Sequence, residues 1–127
     1  MRKFAFNPDK EKSARVYGRG LAISRKSSVT VCRKVTGMRS DKAKQLLNNM
    51  INQKQSLEGK FYTNTSKEIF ELIESGEKNA ENKGLDTEKL HVHASAHKGF
   101  GFFRPRGWKR RRERKKVTNL QIVLVQR

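Results

Sequence analysis

Two segments with alternating apolar and polar residues constrain the fold most, because a densely basic stretch separates them. Residues 90–97 (LHVHASAH) alternate throughout, and residues 117–126 (VTNLQIVLVQ) place apolar positions 120, 122 and 124 on one face. A period of two is typical of β-strands. The connection between them is too long for a tight turn and too short for the crossover helix that parallel strands would need. We therefore predict an antiparallel hairpin whose arms extend past the sheet.

The predicted hairpin arm, residues 98–116, is dominated by positive charge. Residues 104–116 hold nine basic residues and one acidic residue, Glu113. With about ten residues per arm at ~3.3 Å each, the tip would reach ~30 Å. A lone two-stranded hairpin is marginal in water, and nine positive charges repel one another. We therefore expect the arm to be ordered only when its partner surrounds it.

Charge is segregated along the whole chain, whose net charge is +18 over 127 residues. Residues 1–39, which begin with a basic tail over 1–12, hold eleven basic and two acidic residues. Residues 40–103 hold nine Lys, no Arg and nine acidic residues. A strongly positive field attracts a polyanion, and Arg binds phosphate and stacks on bases better than Lys does. The absence of Arg from a neutral, foldable centre favours nucleic acid over a membrane surface as the partner.

Two central segments have apolar residues at helical spacing. Residues 40–52 form one predicted helix, with Ser40 as its N-cap. Residues 66–83 form the second, for which Thr65 and Glu68 fit a capping box. Gly76 lies on the apolar stripe of this second helix, where it would let another element approach closely, and Gly84 would end the helix.

The N-terminal third is less clear. The stretch RVYGRGLAIS, residues 15–24, is predicted as a strand in which Gly18 and Gly20 permit close approach of a backbone or a phosphate. Residues 27–37 (SSVTVCRKVTG) are rich in β-branched residues, which favours a strand. The spacing of their apolar positions also fits a helical stripe, so both structures remain open on this pattern.

Catalytic and metal-binding patterns are weak. Cys32 is the only cysteine, which precludes an intrachain disulfide and suggests a reducing compartment, and no base is positioned to activate its thiol. His91, His93 and His97 share one strand face, and a His-x-His pattern can chelate zinc, but no cysteine or carboxylate is indicated as a partner ligand, so they fit a polar face on RNA better. No apolar stretch is long enough for a signal peptide or a membrane span. We expect a soluble intracellular protein that is not an enzyme and has no cofactor and no metal.

Three stretches carry a resemblance to a known family. They are residues 14–37 (ARVYGRGLAISRKSSVTVCRKVTG), residues 67–99, which contain the specific run NAENKGLD, and more weakly Pro105, Arg106 and Arg110. The chain resembles the large-subunit ribosomal protein twenty-two family, numbered seventeen in eukaryotes, in its archaeal and eukaryotic form. Its connection over 53–64 and its hairpin look shorter than is usual in that family.

The resemblance implies an α+β fold in a single ribosomal protein domain over 1–127: a three-stranded antiparallel sheet packed on three helices, with a long protruding β-hairpin. It implies that residues 27–37 are helical. It also implies a structural role in the cytoplasmic large ribosomal subunit, in RNA organisation, in assembly and in lining the polypeptide exit tunnel. The implied partners are large-subunit ribosomal RNA, neighbouring ribosomal proteins and the nascent polypeptide, with no membrane and no homo-oligomer.

Basic residues in two regions are the expected RNA contacts. Those in the N-terminal region are Arg15, Arg19, Arg25, Lys26, Arg33 and Arg39. Those in the arm are Arg104, Arg106, Lys109, Arg110, Arg111, Arg112, Arg114, Lys115 and Lys116. The expected tip in the tunnel consists of Pro105, Arg106, Gly107, Trp108, Lys109 and Arg110. Trp108 is expected to stack on RNA or face the tunnel, whereas Phe100 is expected to anchor the hairpin root to the core.

The alternative function is a free RNA- or DNA-binding regulator that uses the basic arm. Such a protein should show a recognition helix with a basic face or an aromatic RNA-binding motif on a strand. The predicted helices over 40–52 and 66–83 have mixed or acidic outer faces instead. The ribosomal role is therefore preferred.

Overall fold

The last strand of the chain lies at the centre of a three-stranded antiparallel sheet. The computed structural model describes residues 3–103, 109 and 113–127. The strands are β1 (Ser13–Leu21), β2 (Leu90–Lys98), β3 (Phe102–Phe103), β4 (Arg114–Lys115) and β5 (Thr118–Gln126). The sheet order is β1-β5-β2, and β3 pairs with β4 in a separate two-stranded ladder. Ile122 of β5 pairs with Val16 on one side and Ala94 on the other, which confirms the antiparallel prediction for β2 and β5.

Three helices pack on one face of this sheet. They are α1 (Arg25–Val35), α2 (Ser40–Ile51) and α3 (Thr63–Asn82). The described fold thus has the α+β class and the helix and strand numbers that were expected. Short 3-10 turns occur at Lys10–Lys12 and Thr87–Lys89.

Residues 27–37, for which the sequence pattern allowed either a strand or a helix, are helical up to Val35, where α1 ends. Val31, Cys32 and Val35 are buried on its inner stripe against β2, and burial of this stripe outweighs the β-propensity of its branched residues. The predicted capping box of α3 is wrong, because the helix begins at Thr63, two residues before Thr65. Thr65 is buried within the first turn and no side chain caps this helix end.

The core lies between the helices and the inner face of the sheet. Leu120, Ile122 and Leu124 of β5 are fully buried there. Gly76 of α3 faces the same strand, since a Cβ built on it would lie 2.9 Å from Leu124 Cδ1 and 3.2 Å from Val16 Cγ2. The close approach predicted at Gly76 is therefore confirmed.

The C-terminus of α3 is closed by Gly84, which has a φ of +74°. Its N–H donates to the carbonyl of Glu81 at 2.9 Å, and the N–H of Leu85 donates to the carbonyl of Ala80 at 3.0 Å. These two bonds form a Schellman motif, which favours glycine at the left-handed position. The predicted end of this helix is confirmed to within one residue.

The outer face of the sheet is covered in part by the beginning of the chain. The Gln121 side chain accepts a hydrogen bond from the N–H of Ala5 and donates one to the carbonyl of Lys3, both at 3.0 Å. The Phe6 ring stacks on His93 with centroids 4.1 Å apart. The described part of the basic tail therefore forms a third layer over the polar face of the sheet.

Candidate nucleic-acid interface

Antiparallel pairing continues beyond the three-stranded sheet at the end where β1 and β2 finish and β5 begins. The N–H of Gly99 donates to the carbonyl of Val117 at 2.9 Å, and β3 pairs with β4 through Phe102 opposite Lys115. These pairs form the root of the predicted hairpin. The tip residues Arg104, Pro105, Arg106, Gly107, Trp108, Arg110, Arg111 and Arg112 lie outside the described residues.

A groove of about 710 Å³ opens between this root and the start of α1. We call it the basic groove. Its charged lining residues are Arg25, Lys26, Lys98, Arg114, Lys115 and Lys116. No carboxylate lines it among the residues that the structure describes. Five of the six were expected RNA contacts, and the fold brings together residues about ninety positions apart.

In the described structure, the cations of the basic groove have no acceptor of their own. Within the described part of the chain, none of their side chains makes an ion pair or a hydrogen bond. Six like charges around one concavity repel one another and raise the local positive potential. The backbone adds to this potential, because the first N–H groups of α1 point toward its N-terminus and leave a partial positive charge there.

Two side-chain contacts define the groove walls. The hydroxyl of Thr118, which is buried, donates to the carbonyl of Ile23 at 2.8 Å and so fixes the start of α1 against β5. The Arg114 side chain lies directly over Gly101, since a Cβ built there would be 2.6 Å from Arg114 Nε. A side chain at position 101 would therefore displace this arginine.

A second, smaller pocket of about 330 Å³ lies at the same end of the molecule. Its lining residues are Tyr17, Arg19, Gly20, Phe100 and Asn119. The prediction that Phe100 anchors the hairpin root to the core is wrong, because its relative exposure is 77%. The glycines on either side, Gly99 and Gly101, make the close contacts of the root instead, and the phenylalanine side chain is left in solvent.

Three of the expected RNA contacts lie away from the basic groove. The Arg39 guanidinium donates to the carbonyl of Glu88 at 2.7 Å, at the opposite end of β2. The Arg15 guanidinium lies 5.4 Å from the centroid of the Phe4 ring. Arg33 is exposed on α1, near the loop that contains Glu58.

Three cations that line pockets were not among the expected RNA contacts. Lys98 of the basic groove was not among the expected contacts, although its position next to the arm was a usable signal. Lys10 and Lys83 line a pocket with Arg15, and nothing in the sequence pattern indicates that these three residues lie close together. Lys109 is exposed.

The local surroundings of His93 and Cys32 shift the pKa values of both side chains. His93 Nε2 is buried without a hydrogen-bond partner in the described structure, and burial, followed by Arg127 and His91, lowers the pKa of this imidazole. Burial raises the pKa of the Cys32 thiol to about 12. Among the residues described, no three potential ligands are grouped to hold a metal. No helix within the same residues has the length and apolar character needed to cross a membrane.

The family model described as ribosomal protein L22p/L17e matches residues 16–125. A relative from Methanococcus aeolicus, the large ribosomal subunit protein uL22, is 36% identical over 139 aligned positions that cover 91% of each chain. The protein of the same name from Methanopyrus kandleri is 33% identical, covering 79% of this chain and 74% of its own. That from Methanocaldococcus jannaschii is 28% identical, covering 96% and 93%. The match to the family model thus includes all three helices, the hairpin region and all of the sheet except its first three residues and its last residue.

Proposed function

The chain belongs to the ribosomal protein L22p/L17e family, and from this premise we propose that it binds large-subunit ribosomal RNA through the basic groove and the hairpin arm. As a member of this family it is a constituent of the large ribosomal subunit and is located in the cytoplasmic ribosome. Its role is structural rather than catalytic. RNA organisation and subunit assembly are the activities that we assign to it.

The observation that carries the proposal is the set of six cations in the basic groove, which have no partner among the described residues. Neutralising phosphates with such residues releases condensed counterions, and this release drives association at low salt. The helix N-terminus at the same groove is suited to a phosphate as well. Since phosphate contacts position a protein without reading sequence, the groove fixes where the body of the protein sits on its RNA.

The hairpin arm extends this surface. Strand pairing continues past the sheet toward residues 104–116, where the charge density is greatest. We propose that this arm runs into ribosomal RNA and that its tip, Pro105 to Arg110, lines the exit tunnel beside the nascent polypeptide. Neighbouring ribosomal proteins are the other expected partners, and neither a membrane nor a second copy of the chain is required.

The proposal is tested by the salt dependence of binding to transcribed large-subunit ribosomal RNA. Six phosphate contacts give a slope of log K against log salt of about −4 to −5. The groove variant Arg25→Gln/Lys26→Gln should reduce the magnitude of that slope by about 1.5. The matched control Lys42→Gln/Lys54→Gln removes the same charge from exposed positions elsewhere and should leave the slope nearly unchanged.

Two results would contradict the proposal. A wild-type slope near −2, or equal losses in the groove and control variants, would show that the basic groove is not the RNA interface. Sedimentation separates the ribosomal role from that of a free regulator. Retention on large subunits through high-salt washing supports the first, and complete release at modest salt supports the second.

A further inference from the structure

Phe100 is the most exposed of the large apolar residues described, at 77%. It lies between two glycines that line the basic groove, so its position in the chain is directly next to that groove. Exposure of an aromatic ring to water costs free energy. An isolated exposed apolar residue is common, but this ring also forms one wall of a defined pocket.

The opposite wall of that pocket is formed by an irregularity in β1. Gly18 pairs with Leu120 and Leu21 pairs with Thr118, so Arg19 and Gly20 both lie opposite the single residue Asn119. Gly20 has a φ of +66°, and a Cβ built on it would meet nothing within 4 Å. The bulge therefore projects the backbone and the exposed Arg19 side chain outward while leaving open space beside them.

Asn119 is held in one orientation across the bulge. Its Oδ1 accepts a hydrogen bond from the N–H of Gly20 at 2.9 Å. Its Nδ2 makes no hydrogen bond with the part of the chain that the structure describes, so this amide presents a donor beside the pocket. Tyr17 is held at the same site by ring contacts with Phe4 and with His97, at centroid distances of 6.3 and 6.1 Å.

We propose that this pocket, which we call the base pocket, binds one unpaired RNA base. The base stacks on the Phe100 ring, the Asn119 amide nitrogen donates to a base acceptor, and Arg19 contacts the adjoining phosphate. Aromatic rings, arginine and amide donors are the groups that proteins use for single-stranded or bulged bases. The proposal rests on the RNA-binding function above, since an RNA strand that follows the basic groove passes the base pocket.

An RNA base fits the pocket better than an apolar side chain of a protein partner. Among the described residues that line the pocket, Arg19 is the charged one, and the neighbouring groove supplies six more positive charges. An apolar partner would leave these cations and the Asn119 donor without acceptors, whereas a nucleotide supplies both a ring and a phosphate.

The test uses the full chain and two RNA hairpins that differ in one feature. Each carries a single 2-aminopurine, which is bulged out of the stem in one probe and paired within it in the other. Wild-type protein should bind the bulged probe more tightly and quench its 2-aminopurine fluorescence. Phe100→Leu keeps an apolar side chain without the ring, and should weaken binding of the bulged probe roughly 5- to 100-fold. Phe100→Tyr should restore both affinity and quenching.

The matched control is Phe61→Leu, because Phe61 is also an exposed phenylalanine but lies in the connection between α2 and α3. It should bind both probes as wild type does. The base pocket is refuted if Phe100→Leu binds the bulged probe with wild-type affinity, or if it weakens the paired probe equally. Either of these results leaves the salt slopes of the groove variants unaffected, so failure of this inference is distinguishable from failure of the proposed function.

Discussion

Replacing Gly76 with alanine sets two effects of known sign against each other. In the interior of a helix, alanine is favoured over glycine by about 0.5–1 kcal/mol. At this position, however, the added Cβ would lie 2.9 Å from Leu124 Cδ1 and 3.2 Å from Val16 Cγ2. Leu124 is fully buried and Val16 nearly so, and neither side chain has solvent to move into.

The steric effect should win. Adding a methyl group to a filled core costs about 1–3 kcal/mol, so the net destabilisation of Gly76→Ala should be about 1 kcal/mol. For a domain of this size, that corresponds to a Tm lower by about 3–5 °C. Circular dichroism during thermal unfolding would measure it. Ser75→Ala, at the exposed neighbouring position, is the control and should change stability by no more than about 0.5 kcal/mol.

A double-mutant cycle identifies the cause. Leu124→Val removes the atom nearest to the new Cβ, so it should cost at least about 0.5 kcal/mol less in the Gly76→Ala background than in the wild type. A Tm for Gly76→Ala at or above the wild-type value would refute the reasoning. It would mean that α3 and β5 can separate slightly without loss of packing.

Two further predictions concern the titratable groups of the fold. Because the folded-state pKa of His93 is lowered, the unfolded chain takes up this proton first, and stability should be full above pH ~6.5 and decrease as the pH falls below that value. His93→Gln should reduce the loss of Tm between about pH 7.5 and 5.5, and an unchanged loss would exclude this histidine as its source. The Cys32 thiol, buried and with a pKa raised to about 12, should react with a thiol reagent at pH ~8 only in denaturant. Rapid labelling of the folded protein would show that α1 opens locally.

The periodic segments of the sequence predicted most of the architecture. The alternation over 90–97 located β2 to within one residue, and helical spacing located α2 and α3. These patterns succeed because one face of each element is buried and its period is read directly. The α1 segment could not be decided this way, since its branched residues favour a strand and only their burial against β2 selects the helix. The capping box failed because Thr65 is buried within the first turn rather than placed at its boundary.

The composition of the sequence predicted several residues of the candidate site, but it did not predict how the fold arranges them. Counting basic residues identified Arg25, Lys26 and the arm, and the first two do meet the arm residues Arg114, Lys115 and Lys116 in the basic groove. The same count gave Arg39 equal weight, although its guanidinium is bound to a backbone carbonyl at the other end of β2. Pairing of a cation within the chain depends on tertiary contacts between distant residues, which neither periodicity nor charge density reports. Phe100 was misassigned because the exposure of its side chain also depends on tertiary contacts, here the close packing at Gly99 and Gly101.

Some cations of this protein have acceptors within the chain, whereas those of the basic groove have none in the described structure. Away from the hairpin, Lys44 pairs with Glu77 at 2.7 Å and Lys83 donates to the carbonyl of Ser13 at 2.9 Å. These contacts satisfy charge locally and are compatible with a body that folds before it meets RNA. The cations of the basic groove have no such acceptors in the described structure, so their mutual repulsion persists until a polyanion arrives. On the proposed function, RNA binding would then relieve repulsion as well as release counterions, and the six cations gathered in the basic groove would favour association in a single orientation.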